Sequence, residues 1–209
     1  MNESISKIRE KILKSDEFVL SEIKKLQYLY GLKQIIRTKQ NRKENIQTES
    51  VAEHIYSLNI LSRYFLPLED LNENLDQQLV YSLILWHEID EIENGDVVPW
   101  EKSETIKNQL KDDYELALTK IPNLLKSEAK LMFCHYEANE SPEAKFVKAI
   151  DKIDPVIDSY TNEGKKRMLD YGITAEQNLA IKLPYINDYP YIKRFNDVIH
   201  ERFVSEGFF

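Results

Sequence analysis

Apolar residues recur along most of the chain at the spacing of one face of an α-helix. Between Val51 and Phe65 they recur at steps of three or four residues, and a similar stripe follows Pro142. No stretch alternates apolar and polar residues around a two-residue hairpin turn, the pattern typical of paired strands. The chain has only five glycines and seven prolines, and scarce glycine favours helix. The pattern therefore predicts an all-α fold.

Helix boundaries follow from the start and stop signals in the sequence. Ser50, with Glu53 three residues later, forms a capping box, and Ser141 caps a helix whose first residue is Pro142. No repeat or low-complexity segment divides the chain, so residues 1–209 are expected to form one domain. The predicted helices cover about residues 3–14, 16–36, Ser50 to just before Pro67, 76–93, 101–119 and 123–137, then start at Pro142, with two shorter helices around Pro184 and Pro190.

The stretch from Leu83 to Asp96 departs most from a simple amphipathic helix. An apolar run leads into one histidine and five acidic residues, the last of which, Asp96, follows the helix-breaking Gly95. On a continuous helix His87 and Glu91 would share a face, with Glu88 about 100° around the axis. A histidine and carboxylates beside an apolar run are costly to bury without a purpose. The stretch therefore predicts either a metal ion or acid–base chemistry.

Charge and cysteine content narrow the function further. The net charge of −8 argues against a general nucleic-acid or membrane-surface binder. Residues 37–43 form the only dense basic patch, for which a solvated connection is the simplest interpretation, although one basic side chain can hold a small phosphorylated substrate. A single cysteine, Cys134, excludes an intramolecular disulfide and a zinc site built mainly of cysteines. The chain shows no signal peptide and no apolar run of membrane length, and a cytoplasmic location is expected.

Three predicted helices supply possible metal ligands. His54 lies at the start of one helix, His87 and Glu88 lie on a second, and Asp151 lies on a third. Considered alone, His54 is more typical of a core or surface histidine, and Asp151 of a surface aspartate. Together, two imidazoles and two carboxylates suit a borderline divalent ion and leave positions for water and substrate.

The order of these residues resembles a known family signature. His54, His87-Glu88 and Asp151 are similar to the H…HD…D series of the HD-domain metal-dependent phosphohydrolases. The wider motifs resemble its 5′-deoxynucleotidase branch, over about residues 30–160. These motifs are Ser50-Val51-Ala52-Glu53-His54, His87-Glu88-x-x-Glu91-x-x-x-Gly95-Asp96-x-x-Pro99 and Glu143-Ala144-Lys145-Phe146-Val147-Lys148-x-x-Asp151-Lys152.

The resemblance implies a helical HD-domain bundle, usually a homodimer, that binds a divalent metal such as Mn, Co, Zn, Mg or Fe. It assigns the metal to His54, His87, Glu88 and Asp151. It assigns catalysis to Glu91, catalysis and sugar contact to Asp96, and phosphate contact to Arg37, whose planar fork suits phosphate. Asp90 and Glu93 fall outside the motifs and are expected to be solvated.

The chain departs from the family pattern at two positions. The family has aspartate directly after the second histidine, where this chain has Glu88, and the extra methylene moves the ligand oxygen by about an ångström or more. The family also places a tryptophan soon after the arginine, where this chain has Lys39-Gln40 after Thr38. Trp100 is a possible substitute, although a packing role is the simpler interpretation.

These residues support three hypotheses about function. The first is a metal-dependent phosphomonoesterase acting on (deoxy)nucleoside 5′-monophosphates. The second is an HD-type hydrolase of a nucleotide triphosphate or a signalling nucleotide. The third is a catalytically silent HD module that binds a nucleotide or a protein partner.

Overall fold

The fold is described from a computed structural model, which describes residues 5–37, 49–70, 74–96 and 104–209. In these ranges the only β contact is one antiparallel bridge between Ile36 and Ser50, and the predicted all-α class is confirmed. The helices are α1 Ile5–Lys14, α2 Asp16–Leu29, a 3₁₀ helix Tyr30–Lys33, α3 Val51–Glu69, α4 Gln77–Trp86, α5 Glu91–Asn94, α6 Glu104–Lys120, α7 Asn123–Ala138, α8 Pro142–Asp158, α9 Asn162–Tyr171, α10 Ala175–Ile186 and α11 Pro190–Ser205.

The chain divides into two compact units, each built from several chain segments. The prediction that residues 1–209 form one domain stays a prediction. Unit 1 comprises Met1–Glu44, Thr48–Glu53 and Trp86–Cys134, and unit 2 comprises Asn45–Gln47, His54–Leu85 and His135–Phe209.

In unit 1 the short helix α5 packs against α6 and the 3₁₀ helix. Glu93 holds this arrangement, because it accepts hydrogen bonds from the Tyr28 hydroxyl at 2.5 Å and from Lys120 Nζ at 2.7 Å. The prediction that Glu93 is solvated is therefore wrong, since its side chain is only 14% exposed. A phenol and an ammonium group from two other helices replace the water that the carboxylate would otherwise bind.

In unit 2 helix α8 forms the centre, and both α10 and α11 pack against it. The predicted start of α8 is confirmed, because Ser141 Oγ accepts the Ala144 backbone N–H at 3.1 Å and Pro142 occupies the first turn. Its apolar face is fully removed from water. The buried residues of α8 are Ala144, Phe146, Val147, Ala149, Ile150, Asp151, Ile153, Asp154 and Val156.

Several predicted helix boundaries differ from the structure. The predicted helix 76–93 is wrong, because α4 ends at Trp86, residues 87–90 form a turn and α5 begins at Glu91. Helix α3 continues through Pro67 and α10 includes Pro184. Each of these prolines lies two residues before the end of its helix, so each removes one terminal backbone hydrogen bond without dividing the helix.

Helix α9 was not predicted, although the sequence carries its signals. Thr161 Oγ1 accepts the Gly164 backbone N–H at 3.0 Å and so caps the first turn. The helix ends at Gly172, whose φ of 63° is left-handed and favours glycine. The threonine cap and the terminal glycine enclose ten residues, and these two signals outweigh the small number of apolar residues between them.

Candidate functional site

A buried histidine and two buried aspartates meet in unit 2. His54, in the first turn of α3, is fully buried, while Asp151 and Asp154 of α8 are 6% and 4% exposed. The two aspartates are three residues apart and so lie on one face of α8. His54 Nδ1 is 2.8 Å from Asp154 Oδ2, and His54 Nε2 is 3.3 Å from Asp151 Oδ1. Asp151 is therefore not the surface aspartate that its position alone suggested.

The contact with Asp154 decides which nitrogen of His54 can act as a ligand. An imidazole whose Nδ1 faces a carboxylate carries its proton on that nitrogen, which leaves the lone pair on Nε2. In that tautomer Nε2 and Asp151 Oδ1 are both electron-rich, and two such atoms 3.3 Å apart suit a shared cation. Sequence reasoning missed Asp154, although its spacing of three residues from Asp151 was a usable signal.

The other oxygen of Asp151 is held by two donors. The Tyr136 hydroxyl donates to Asp151 Oδ2 at 3.1 Å, and Lys152 Nζ donates to the same atom at 2.7 Å. Tyr136 lies near the end of α7 and is 7% exposed. Asp151 is thus fixed by contacts from its own helix and from α7.

In unit 1 the turn after α4 carries His87 and Glu88. The backbone N–H groups of Ile89, Glu91 and Glu93 each donate to the carbonyl three residues earlier, at 3.1–3.3 Å. In an α-helix the acceptor is four residues earlier, so this backbone is wound more tightly. His87 is 2% exposed, and its Nε2 lies 3.3 Å from Glu88 Oε1. The turn, rather than the continuous helix predicted, therefore sets the relation between His87 and Glu91.

Glu91, the first residue of α5, has a strongly perturbed carboxyl group. It is 8% exposed, and burial raises its pKa well above the usual range. The negative charges of Glu88, Asp96 and Asp90 raise that pKa further, while the Arg37 guanidinium partly opposes them. A carboxyl group with a raised pKa suits acid–base chemistry.

Asp90 corrects a second prediction. It was expected to be solvated, but it is 8% exposed and adds its charge to the surroundings of Glu91. Asp90 lies outside the family motifs, and the sequence did not indicate its burial, because that burial depends on how the turn after Trp86 folds. Asp96 follows α5 and is half-buried.

Arg37 is held in place by the segment that leads into α3. Its Nη1 forms an ion pair with Glu49 Oε2 at 2.8 Å, and its backbone N–H donates to the Glu49 carbonyl at 2.8 Å. The Arg37 side chain is 16% exposed, so Arg37 does not belong to a solvated connection. The rest of the basic patch, residues 38–43, lies outside the described ranges, as does Trp100.

The predicted capping box at the start of α3 is confirmed. Ser50 Oγ accepts the Glu53 backbone N–H at 3.2 Å, and Glu53 Oε2 accepts the Ser50 backbone N–H at 2.7 Å. These reciprocal bonds satisfy donors that a helix start leaves open. The first turn that carries His54 is thereby fixed.

Comparison with known proteins shows the family to which this chain is similar. The HD domain family matches residues 29–191. The chain is 29% identical to the 5′-deoxynucleotidase hdd1 of Schizosaccharomyces pombe over 163 residues, which cover 74% of this chain and 76% of that protein. It is 28% identical to the 5′-deoxynucleotidase HDDC2 of Danio rerio over 134 residues, which cover 63% of this chain and 64% of that protein.

Solved structures show the same fold. A predicted metal-dependent phosphohydrolase from Magnetospirillum magnetotacticum superposes with a TM-score of 0.76 at 19% identity, covering 91% of this chain and 94% of that chain. An HD-domain phosphohydrolase from Listeria innocua superposes with a TM-score of 0.55 at 17% identity, covering 87% and 84%. Among the described helices, none has the length and apolar character needed to cross a membrane.

These findings confirm the expected enzyme class, a metal-dependent phosphomonoesterase whose cofactor is a metal ion of unknown identity. The expected homodimer and the cytoplasmic location stay predictions. Because the family match extends over most of the described residues and includes every motif from His54 to Asp151, the chain belongs to the HD domain family.

Proposed function

We propose that this protein removes phosphate from (deoxy)nucleoside 5′-monophosphates. The observation that carries the proposal is the surroundings of Glu91 in unit 1. A buried carboxyl group with a raised pKa can transfer the proton in the hydrolysis of a phosphate monoester, and an arginine fixed by an ion pair can hold the phosphate. Two relatives named 5′-deoxynucleotidases support this class of substrate.

We assign the metal to His54, His87, Glu88 and Asp151. Each offers one ligand atom, an imidazole nitrogen or a carboxylate oxygen, and this donor set suits borderline divalent ions. Glu88 replaces the aspartate of the family with an oxygen ligand of the same charge. When bound, a divalent ion supplies Lewis-acid chemistry to the phosphoryl group.

Glu91 handles the proton in the proposed reaction. A water oxygen attacks phosphorus, the bond between phosphorus and the 5′ oxygen breaks, and one proton passes from the water to the leaving oxygen. A carboxyl group whose pKa lies near the working pH both accepts and returns such a proton efficiently. Burial, the largest cause of the shift, moves the pKa of Glu91 in that direction.

Arg37 and Asp96 orient the substrate in this proposal. The Arg37 fork neutralises the phosphate, and Glu49 with the backbone bonds around it fixes where the fork lies. Asp96, which follows Gly95 after α5, contacts the sugar side or assists as an acid. A preorganised arginine loses little conformational entropy when it binds a phosphate.

The proposal is tested by a product assay across nucleotides and metals. The purified protein is incubated with deoxy- and ribonucleoside mono- and triphosphates in Mn²⁺, Co²⁺, Zn²⁺, Mg²⁺ or Fe²⁺, and phosphate, pyrophosphate and triphosphate are separated. We expect phosphate release from monophosphates, at least 100-fold above a folded His87→Ala variant.

Each other outcome of this assay points to a different function. Release of pyrophosphate or triphosphate would assign the chain to the HD-type hydrolases of larger nucleotides. If the protein hydrolyses monophosphates no faster than His87→Ala and metal does not change its melting temperature, the result would favour a catalytically silent binding module.

Replacing Arg37 with alanine is expected to raise KM for the monophosphate about 10- to 100-fold, because a charge-assisted contact to the phosphate is lost. Since Arg37 lowers the pKa of Glu91, its removal should also move the pH limb of kcat/KM that depends on Glu91 to higher pH. Arg37→Lys keeps the charge, so it should leave the pH limb where it is in the wild type and raise KM less than Arg37→Ala does. Steady-state kinetics between pH 5 and 9 measure both effects, and an unchanged KM would contradict the assignment.

A further inference from the structure

Asp151 presents its two carboxylate oxygens to different partners. Oδ2 accepts hydrogen bonds from the Tyr136 hydroxyl at 3.1 Å and from Lys152 Nζ at 2.7 Å. Oδ1 lies 3.3 Å from His54 Nε2. The carboxylate is buried, so water contributes little to these arrangements. One oxygen is therefore engaged by protein donors, and the other faces the histidine.

The two donors are themselves held in place. Lys148 Nζ lies 4.2 Å from the centroid of the Tyr136 ring, which places a cation over the ring face. Lys148 in turn forms an ion pair with Glu137 at 3.6 Å. Lys152 Nζ lies 5.4 Å from the ring centroid of Tyr185 on α10. Side chains of α7, α8 and α10 thus fix the direction from which Oδ2 is approached.

We propose that Tyr136 and Lys152 are positioning residues that make Asp151 a one-oxygen metal ligand through Oδ1. This inference rests on the assignment of Asp151 to the metal. A carboxylate without such partners rotates about its last bond and binds an ion through either oxygen or through both. Two donors on Oδ2 stop this rotation, because turning Oδ2 towards the ion would break both hydrogen bonds.

The two residues differ in charge, and this difference separates their effects. Tyr136 is neutral, so its loss removes orientation alone. Lys152 is positive and repels a nearby divalent cation, so its loss removes orientation and a repulsion together. The repulsion acts similarly on any divalent ion, whereas freedom to bind through two oxygens favours large ions with flexible coordination, such as Ca²⁺.

The test measures metal binding to the full-length protein without substrate. Titration calorimetry gives the dissociation constants of Mn²⁺ and Ca²⁺ for the wild type and for Tyr136→Phe. We expect the affinity of Tyr136→Phe for Mn²⁺ to fall about tenfold, with a smaller loss for Ca²⁺. Lys152→Met should shift the ratio of the two constants in the same direction. An equal loss for both ions, or no loss, would overturn the proposal.

Two further variants serve as controls. Tyr114→Phe removes the hydroxyl of another buried tyrosine, which donates to the Lys130 carbonyl at 3.3 Å, and it should leave both constants unchanged. His87→Ala tests the metal assignment itself. If His87→Ala binds Mn²⁺ as the wild type does, the proposed metal site and this inference both fall. If His87→Ala loses Mn²⁺ while Tyr136→Phe keeps it unchanged, only the positioning role is wrong.

Discussion

Replacing Glu91 with glutamine is expected to lower kcat for a nucleoside monophosphate by about 10²- to 10⁴-fold, the usual contribution of a positioned acid or base. Glutamine has nearly the same shape but cannot accept or return the proton. Because Glu91 is not among the proposed metal ligands, the Mn²⁺ dissociation constant should change only a few-fold. Turnover kinetics and metal titration of the same preparation check both statements.

The pH profile gives a second measurement of the same residue. Burial and the charges of Glu88, Asp96 and Asp90 raise the pKa of Glu91, while a divalent ion held by Glu88 would act in the opposite direction. The wild-type pH profile should therefore contain one limb that belongs to Glu91. In Glu91→Gln this limb should disappear from the residual activity. Its persistence would assign the titration to another group.

Glu93→Gln is the matched control, since it makes the same change in the same short helix. Glu93 binds Tyr28 and Lys120, so its replacement is expected to lower the melting temperature while kcat at 25 °C stays within a few-fold of the wild type. A Glu91→Gln variant that keeps wild-type kcat would remove Glu91 from the mechanism.

Replacing Lys182 with methionine is expected to stabilise the protein at neutral pH. Lys182 of α10 is 7% exposed, and burial, together with the positive charge of Lys152, lowers its pKa from 10.5 to about 7. Each unit of such a difference corresponds to about 1.4 kcal/mol. Its hydrogen bond to Asn178 Oδ1 recovers a part of that cost. The free energy of unfolding should therefore rise by roughly 2–4 kcal/mol at pH 7.

The sign of the pH dependence follows from the depressed pKa. Above pH 10.5 the lysine is neutral in both the folded and the unfolded chain and costs nothing through its charge. As the pH falls from 10.5 to about 7, only the unfolded chain takes up the proton, so the folded state loses stability. Below about pH 7 both states are protonated and the loss is constant. The advantage of Lys182→Met should therefore grow from pH 10 down to pH 7 and then level off.

Denaturant unfolding at several pH values measures this difference. Lys193→Met on α11 is the control, because Lys193 is 37% exposed and forms an ion pair with Asp197. Exposed ion pairs contribute little, so this variant should stay within about 1 kcal/mol of the wild type at every pH. The prediction would be contradicted if Lys182→Met were less stable than the wild type, or if its free energy of unfolding exceeded that of the wild type by the same amount at every pH.

Local chemistry in the sequence was sufficient for the helical class and for most helix starts. The capping box of Ser50 and Glu53 and the cap at Ser141 depend on residues three positions apart, and the structure contains both. The family motifs likewise depend on residue type and order, which are visible in the sequence. The end of α4 at Trp86 was not visible in the sequence. The turn that follows it buries His87 and Asp90, and such burial depends on tertiary packing rather than on local propensity.

What the sequence determined was therefore the fold class, the family and the residue types available for chemistry. Only the tertiary structure decided which of these groups are buried, which partners they contact and how strongly they hold a proton. His54 and Asp154 are 100 residues apart in the chain and form one hydrogen bond, and the burial of Glu91 and Lys182 changes their proton affinities. The physical reason is that desolvation and the distance between charges depend on packing in three dimensions, which spacing along the chain does not specify.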